Sequence, residues 1–166
     1  MSAAPDSLEL RAPTSADYGA LAAWIPSAQA CLRWAGPRVP FPFAAPDLHV
    51  HLAIPGGGES HVLAHGDGAP VGFSQHWQAV PEAVHLGRII VAPGSRGGGV
   101  GRLLVLKTAA LAVRRLGVGT VTLRVYRDNT TALGLYRSLG FVEDPSLSDA
   151  ETAFMRADAA RALAPA

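Results

Sequence analysis

Residues 91–102 read VAPGSRGGGVGR, and this stretch decides the fold. It follows a run that predicts a β-strand, residues 84–91, and it opens the strongest predicted helix of the chain, residues 100–116. Glycines let backbone N–H groups converge there because no Cβ stands between them. The first turn of the helix also leaves its N–H groups unpaired at the positive end of the helix dipole. Together with Arg96 and Arg102, the stretch predicts a cradle for phosphate groups.

The residues around this loop carry a one-sided charge. Between residues 83 and 127 there is no Asp or Glu, although the interval holds eight of the fourteen Lys and Arg residues. Such a concentration of positive charge favours an anionic ligand nearby. Some of these charges need no ligand, since Arg114 and Arg115 are typical of an exposed helix face.

Two common phosphate-binding sites do not fit the loop. A P-loop continues with Lys and then Ser or Thr after its last glycine, whereas Gly101 is followed by Arg102 and Leu103. A dinucleotide-binding site needs an acidic residue about twenty positions further on, and none occurs before Asp128. The sequence therefore excludes both sites.

The pattern that fits is RxxGxG at residues 96–101, placed after a strand and at the start of a helix. A second segment lies further along, where VYRDN at residues 125–129 precedes LGF at residues 139–141. In these two segments the sequence resembles the GNAT superfamily of acetyl-CoA-dependent N-acetyltransferases. The resemblance is specific over residues 84–142, and it covers the rest of the chain only through the order of the elements.

The resemblance implies one fold and one domain. The expected fold class is α+β, a GNAT-like (acyl-CoA N-acyltransferase) architecture with a mixed, mostly antiparallel sheet and helices on both faces. The predicted elements, a strand and a helix before a meander of strands, agree with it. We expect residues 1–166 to form a single N-acetyltransferase domain. Its cofactor half would lie at about residues 84–142, and its N-terminal half would line the acceptor site.

The resemblance also assigns the residues that bind the cofactor, acetyl-CoA, which leaves as coenzyme A. In the family the glycine-rich loop holds the pyrophosphate, and the strand before it offers unpaired backbone groups to the pantetheine amides. A backbone N–H near Ile90 or Val91 would polarise the thioester carbonyl, and Asn129 would lie along the pantetheine arm. The assigned residues are Ile89, Ile90, Val91, Arg96, Gly97, Gly98, Gly99, Val100, Gly101, Arg102, Asn129 and Tyr136.

Two side chains are candidates for proton transfer. Tyr136 stands seven residues after Asn129, where the family places a tyrosine that protonates the departing thiolate; the alternative is a tyrosine of the apolar core. The general base takes a proton from the amine, and His85 is the candidate, because some members carry a histidine on the strand before the loop. Glu82 or water would serve instead if His85 is only an exposed histidine at the end of a strand.

The acceptor site is expected on aromatic residues, most of them in the N-terminal half. Four prolines between residues 34 and 46 predict an ordered loop, and aromatic side chains on a stiff loop suit a pocket wall. Few carboxylates lie there, which disfavours a polyamine and favours a small monoamine, an amino acid or a peptide N-terminus. Trp77 would equally well belong to the core. The substrate-binding candidates are Trp34, Phe41, Phe43, Trp77 and Tyr126.

Composition excludes several other classes of protein. With 166 residues, of which 49% are hydrophobic and 16% charged, the chain is long and apolar enough to fold around a core. A formal net charge of +1 argues against a nucleic-acid partner. The most apolar stretch, residues 103–113, is too short to span a bilayer, and we expect no membrane partner. Whether the chain is a monomer or a homodimer stays open.

Cysteine and histidine usage bears on compartment and metal content. A single cysteine, Cys31, allows no intrachain disulfide, so we expect a cytoplasmic protein with a buried, inert thiol. Histidines are more numerous, and His49 and His51 would share one face of a strand. No cysteine pair or adjacent carboxylate completes a tetrahedral ligand set around them, and the expected metal content is none.

The resemblance therefore implies an enzyme that transfers an acetyl group from acetyl-CoA to a primary amine by direct attack in a ternary complex. The alternative is a non-catalytic domain that binds or senses acyl-CoA, which would keep the loop and have no use for Tyr136. An adaptor that binds proteins through its aromatic loop would not need the glycine-rich loop at all. The sequence leaves the identity of the amine and the length of the acyl chain open.

Overall fold

The computed structural model describes residues 7–163, and in this range the chain forms seven β-strands and six α-helices. The strands are β1 (Glu9–Arg11), β2 (Glu59–Ala64), β3 (Pro70–Val80), β4 (Ala83–Val91), β5 (Thr120–Tyr126), β6 (Val142–Glu143) and β7 (Thr152–Asp158). The helices are α1 (Ser15–Ala23), α2 (Ala28–Ala35), α3 (Leu48–His51), α4 (Val100–Leu116), α5 (Thr130–Ser138) and α6 (Ala159–Ala162). The helix predicted after the glycine-rich loop occurs as α4 with the predicted bounds.

All seven strands join one mixed sheet in the order β1-β2-β3-β4-β5-β7-β6. The antiparallel pairings include β1 with β2, β5 with β7 and β6 with β7. Strands β4 and β5 are parallel, and their register pairs residues 83–86 with residues 120–123. The predicted α+β class with a mixed, mostly antiparallel sheet is therefore confirmed.

The chain is divided between two compact units. The first unit contains residues 7–75 and 88–105, and the second contains residues 76–87 and 106–163. The predicted cofactor segment, residues 84–142, contributes to both units. The single-domain organisation expected from the sequence stays a prediction.

In the first unit, helices pack against both faces of the strands, as expected for the fold. Val62 of β2 lies in a core cluster with Leu21 of α1 and Leu48 of α3. Leu63, the next residue of the strand, lies in a second cluster with Leu104 of α4. Successive side chains of a strand point to opposite faces. Helices α1 and α3 therefore lie on one face of these strands, and the start of α4 lies on the other.

In the second unit, β5 shows the predicted burial of its apolar side chains. Val121, Leu123 and Val125 are buried, and Arg124 between them is exposed. The end of α4 is also set by local sequence, because Gly117 takes a left-handed φ of 64° directly after the helix. In the described part of the chain, no helix combines the length and the apolarity that crossing a membrane requires.

Candidate functional site

The glycine-rich loop of the first unit joins β4 to α4 through a short 3-10 turn at Pro93–Ser95. Gly97 and Gly99 have φ angles of 84° and 83°, in the left-handed region that glycine enters readily and other residues rarely. A Cβ built on Gly97, Gly98 or Gly99 would meet no atom within 4 Å, so the space beside the loop is open to a ligand. The first turn of α4 follows, formed by Val100, Gly101 and Arg102.

Hydrogen-bond donors converge where this loop enters α4. At the start of the helix the Leu103 N–H donates to the Gly99 carbonyl oxygen over 3.1 Å. The N–H groups of the preceding turn have no carbonyl within the helix to bond, and they lie at the positive end of its dipole. Arg96 is exposed, and its Nε donates to the Val91 carbonyl oxygen over 3.2 Å, which holds the side chain beside the loop. Backbone donors, a nearby guanidinium and open space fit a diphosphate.

Strand β4 departs from regular geometry before it reaches the loop. Arg88 has a φ of 49°, a left-handed conformation that is uncommon outside glycine. The parallel pairing of β4 with β5 covers residues 83–86, whereas β4 continues to Val91. Ile89, Ile90 and Val91 are half-buried. The irregularity thus precedes the three residues for which the resemblance implies backbone contacts with pantetheine.

Helix α5 of the second unit carries both later cofactor candidates at its ends. Asn129 is the N-cap of the helix, and its Oδ1 accepts a hydrogen bond of 3.2 Å from the Ala132 N–H. Tyr136 is buried, with 7% of its surface exposed, and its ring lies 5.9 Å from that of Phe141. Burial raises the pKa of Tyr136 to about 12. Its hydroxyl is therefore protonated at neutral pH, as a proton donor must be.

His85 lies among aromatic rings of the second unit, so the idea of an exposed histidine at a strand end is wrong. Its ring centroid lies 4.9 Å from that of Trp77 and 5.9 Å from that of Phe154. Its Nδ1 lies 2.8 Å from the Thr122 hydroxyl oxygen. Burial, together with the positive charge of Arg124, lowers the pKa of His85 to about 4. The imidazole is therefore neutral at pH 7.

The tautomer of His85 is tied to the Thr122 hydroxyl. Thr122 Oγ1 lies 2.8 Å from His85 Nδ1 and 3.4 Å from the Val84 carbonyl oxygen, and it has one proton to donate. If that proton goes to Val84, His85 Nδ1–H donates to Oγ1 and the lone pair of the ring lies on Nε2; if it goes to Nδ1, the ring proton lies on Nε2.

Gly87 is a residue of the second unit that sequence reasoning missed. The Trp77 ring lies so close that a Cβ on Gly87 would come within 2.4 Å of Trp77 Cη2, a distance that real side chains do not reach. Glycine at this point of β4 therefore leaves room for the indole of Trp77. Nothing in the sequence indicated the role, because the contact joins residues of two different strands.

The acceptor candidates of the first unit lie in two different environments. Trp34 lies in the last turn of α2 and not in the proline-rich loop as predicted, because α2 continues to Ala35. Its Nε1 donates to the Arg88 carbonyl oxygen over 2.8 Å. Phe41 is exposed and its ring meets that of Phe43 edge-on at 5.9 Å, and Phe43 packs against the core.

Two further sequence predictions concern histidine and cysteine. His49 and His51 lie in helix α3, so the expectation that they share one face of a strand is wrong. Residues two apart on a helix point about 200° away from each other. Cys31 is buried, and its Sγ lies 3.8 Å from the Val39 carbonyl oxygen. Burial raises the pKa of the Cys31 thiol, in agreement with the predicted inert cysteine.

A pocket of about 300 Å³ opens in the first unit at the start of α1. Its lining includes Thr14, Ser15 and Tyr18 at the start of α1 and, from the segment around α3, Pro46 and His49. None of the predicted acceptor residues lines it. The sequence predicted a pocket wall on the aromatic residues of the proline-rich segment, whereas this pocket uses Pro46 of that segment and Tyr18, which was not among the candidates.

Known sequences match this chain over a range that includes the glycine-rich loop, β4 and α4. Residues 28–141 match the acetyltransferase (GNAT) family. A mycothiol acetyltransferase from Streptomyces coelicolor is 37% identical over 86 residues, and one from Streptomyces avermitilis is 36% identical over 85. Each match covers 48% of this chain and spans about a quarter, 26%, of the relative.

Solved structures resemble the fold over nearly the whole chain. A spermidine N-acetyltransferase from Vibrio cholerae, crystallised with CoA and spermine, has a TM-score of 0.76 at 19% identity and covers 96% of this chain and 99% of its own. A GCN5-related N-acetyltransferase from Kribbella flavida has a TM-score of 0.72 at 22% identity and covers 93% and 99%. Because the family match covers most of this chain, the chain belongs to the acetyltransferase (GNAT) family, whose acyl donor is acetyl-CoA.

Proposed function

We propose that this protein transfers the acetyl group of acetyl-CoA to a primary amine of a small molecule, an amino acid or a peptide N-terminus, by direct attack in a ternary complex. The observation that carries the proposal is the loop at residues 93–102, where two left-handed glycines shape a cationic, open loop at the start of a 17-residue helix. Acetyl-CoA, when bound, supplies an acetyl group activated as a thioester. The single cysteine favours a cytoplasmic protein.

The loop and the end of β4 are the proposed cofactor residues of the first unit. The N–H groups of Gly99, Val100 and Gly101, with the Arg96 and Arg102 guanidiniums, would hold the diphosphate. Residues 89–91 would bond the pantetheine amides through their backbone, and the irregular geometry at Arg88 supports this, since it marks the end of the regular strand.

Tyr136 is the proposed proton donor. Its pKa of about 12 keeps the proton on Oη across the neutral range, ready for transfer to the sulfur of the departing thiol. Asn129 would contribute its side-chain NH₂ to the pantetheine arm, because its Oδ1 already caps α5. The helix cap and the proposed contact use different atoms of the same amide.

His85 is the proposed acceptor of the proton that the amine loses. Its pKa of about 4 makes it a weak base that holds a proton only briefly before passing it to water, and Glu82 or water itself is the alternative base. A weak base suits an α-amine better than a polyamine. A terminal α-amine has a pKa of about 8, against about 10.4 for a lysine-like amine, and is therefore more often neutral at pH 7.

The test measures the release of the coenzyme A thiol from acetyl-CoA across a panel of amines, beside the shift in melting temperature that acetyl-CoA causes. We expect a melting shift and amine-dependent thiol release. A melting shift without release on any amine would favour the non-catalytic acyl-CoA-binding domain. The absence of both the melting shift and thiol release would overturn the proposal.

A further inference from the structure

Arg88 of the first unit has a half-buried guanidinium whose partners are all neutral. Its Nη1 donates to the Leu52 carbonyl oxygen over 3.0 Å and to Gln75 Oε1 over 2.7 Å. Gln75 is itself buried, and its Nε2 donates to the same carbonyl and to the Ser60 hydroxyl oxygen, each over 2.8 Å. The guanidinium is therefore held in one orientation by groups that are fixed in turn.

The backbone of Arg88 is fixed as well. Its φ of 49° is a conformation that costs about 1–3 kcal/mol for a residue other than glycine, and such residues cluster at functional sites. The Trp34 indole N–H donates to its carbonyl oxygen over 2.8 Å. A strained residue whose carbonyl is held by Trp34 of α2 and whose guanidinium is held by Gln75 of β3 is a reason to look for a ligand here.

Within residues 7–163, no carboxylate is found beside Arg88 to balance its charge. Burial lowers the pKa of Arg88, and the positive charge of the exposed Arg38 lowers it further. Among residues 7–163, the interactions found for Arg88 are with Leu52, Gln75, Trp34 and Arg38, and none is with a carboxylate. A partly buried cation beside a second cation is unfavourable alone and favourable once an anion joins them.

The diphosphate of the cofactor is a poor candidate for that anion. Arg88 precedes Val91 by three strand residues, about 10 Å of chain, and the turn at Pro93–Ser95 follows before the glycine-rich loop begins. The 3′-phosphate of coenzyme A lies beyond the diphosphate, at the end of the cofactor opposite the thioester, and is a poor candidate for the same reason. The other stable anion that the reaction can bring to the protein is one carried by the amine. A polyamine, the kind of ligand named for the Vibrio cholerae structure, has only positive charges and would be repelled here.

Resting on the proposed function, we infer that the acceptor is an amine that also carries a carboxylate, such as an amino acid, and that Arg88, aided by Arg38, binds the carboxylate. The carboxylate would pair with guanidinium N–H groups other than those that Nη1 gives to Leu52 and Gln75. Arg88 is then a specificity-determining residue and takes no part in the transfer of the acetyl group.

The experiment compares amine substrates that share a side chain and differ in whether they carry a carboxylate. L-Phenylalanine, L-phenylalaninamide and 2-phenylethylamine share one side chain, and L-alanine with L-alaninamide supply a smaller pair. The value of kcat/KM is measured for each by thiol release in the wild type, Arg88→Gln and Arg38→Gln. The ratio of acid to amide is compared between proteins, because the different amine pKa values of the probes then cancel.

We expect Arg88→Gln to lower the acid-to-amide ratio by about 10- to 100-fold, the range for losing a charge-assisted hydrogen bond. Arg38→Gln, at an exposed position, should lower it by about two- to fivefold. Arg114→Gln is the matched control, because it removes an exposed arginine of α4 and should leave the ratio unchanged. If Arg88→Gln folds poorly, Arg88→Lys replaces it. Lysine keeps the positive charge without the planar guanidinium, and we expect an acid-to-amide ratio between those of the wild type and Arg88→Gln.

The outcomes separate this inference from the function on which it rests. If Arg88→Gln changes kcat/KM for the acids and the amides alike, so that the acid-to-amide ratio equals that of the wild type, the carboxylate site is overturned and the acetyltransferase stands. If no amine is acetylated, the proposed function fails, and the carboxylate site is then tested by ligand binding alone. In that case, a melting shift with coenzyme A that is no larger for phenylalanine than for phenylalaninamide overturns the site.

Discussion

The first unit holds two positively charged regions that are built in opposite ways. In the loop at residues 93–102 the donors are backbone N–H groups and exposed guanidiniums, and glycine makes the room. Around Arg88 the donor is one half-buried guanidinium, fixed by a carbonyl oxygen and a buried amide. The loop is made of consecutive residues, whereas the Arg88 cluster draws on α2, β2, β3 and β4. An anion in the loop is therefore recognised by backbone shape, and an anion at Arg88 by a single side chain.

The largest effect should come from closing the loop. Gly98→Glu places a bulky anion where the Cβ of Gly98 faces open space, and Gly98 does not have a left-handed φ, so the variant should fold. We expect it to abolish the melting shift that acetyl-CoA causes, a stabilisation of about 2.7 kcal/mol at a hundredfold excess over Kd. The measurement is thermal unfolding with and without acetyl-CoA.

Gly119→Glu is the control for that variant. Gly119 is also exposed and open, and it lies outside the loop, so the same charge there should leave the shift intact. A folded Gly98→Glu protein that still responds to acetyl-CoA would show that the loop does not hold the diphosphate. The claim that the backbone of the loop recognises an anion would then fail, and with it the contrast with Arg88.

The same contrast explains what the sequence revealed and what it concealed. The bounds of α4 and the shape of the loop follow from neighbouring residues, because Gly97, Gly99 and the helix after them act within a few positions. The Arg88 cluster depends on residues separated by up to 54 positions, such as the bond from Trp34 Nε1 to the Arg88 carbonyl oxygen. Nothing local marks that pairing, and the sequence even placed Trp34 in a loop.

In the second unit, the side chain surrounded by other groups is His85, and its titration should have a large effect on the free energy of unfolding. Its folded pKa of about 4 lies below the unfolded value of 6.5, so its contribution to stability is complete above pH 6.5 and is lost as the pH falls toward 4. The loss is at most about 3 kcal/mol, because each tenfold change in proton affinity corresponds to about 1.4 kcal/mol. Unfolding in denaturant at a series of pH values measures it.

His85→Phe keeps an aromatic ring between Trp77 and Phe154 and removes the titrating group. The pKa of His76 is also lowered by burial, so the wild type minus His85→Phe difference isolates the part that belongs to His85. If that difference stays constant from pH 7 to pH 4, His85 titrates normally. The neutral imidazole on which its proposed role depends would then lack support.

Tyr136 is the most buried of the proposed functional groups, and its hydroxyl should matter in the reaction alone. Tyr136→Phe keeps the ring against Phe141, so acetyl-CoA binding should change little. General acid catalysis contributes about 100- to 10,000-fold, and we expect about 100-fold in kcat because a thiol is a good leaving group. Thiol release at saturating acetyl-CoA measures it.

Two readouts test whether Tyr136 acts as an acid. An unchanged melting shift with acetyl-CoA in Tyr136→Phe separates catalysis from binding. The pKa of about 12 also predicts no loss of wild-type rate from this group below about pH 11. A full rate in the variant, while the chemical step is limiting, would make Tyr136 a core residue.

The sequence predicted the position of Tyr136 but not the surroundings of His85. Tyr136 lies on the same helix as its N-cap Asn129, seven residues on, so its place on α5 follows from local sequence, and the resemblance supplies the role that stays a prediction. His85 gains its low pKa from Trp77, Phe154 and Arg124, which come from three strands, and a strand-end histidine looks exposed until those strands pair. Gly87 was missed for the same reason, since its close contact with Trp77 arises only in the folded sheet.

Among the cofactor-binding residues, the smallest effect should come from Arg96, and its size decides how the loop recognises an anion. Arg96 is exposed, and its Nε already donates to the Val91 carbonyl oxygen, so water screens much of what its charge offers a ligand. We expect Arg96→Ala to weaken acetyl-CoA binding by about five- to tenfold, below the 10- to 100-fold expected for Arg88 on its carboxylate. The deficit should shrink as salt rises from about 50 mM to about 500 mM, because screening shortens the reach of an exposed charge. Calorimetric titration at the two salt concentrations measures both numbers. If Arg96→Ala abolishes binding as completely as Gly98→Glu, the loop depends on a side chain after all, and the two cationic regions of the first unit work by the same means.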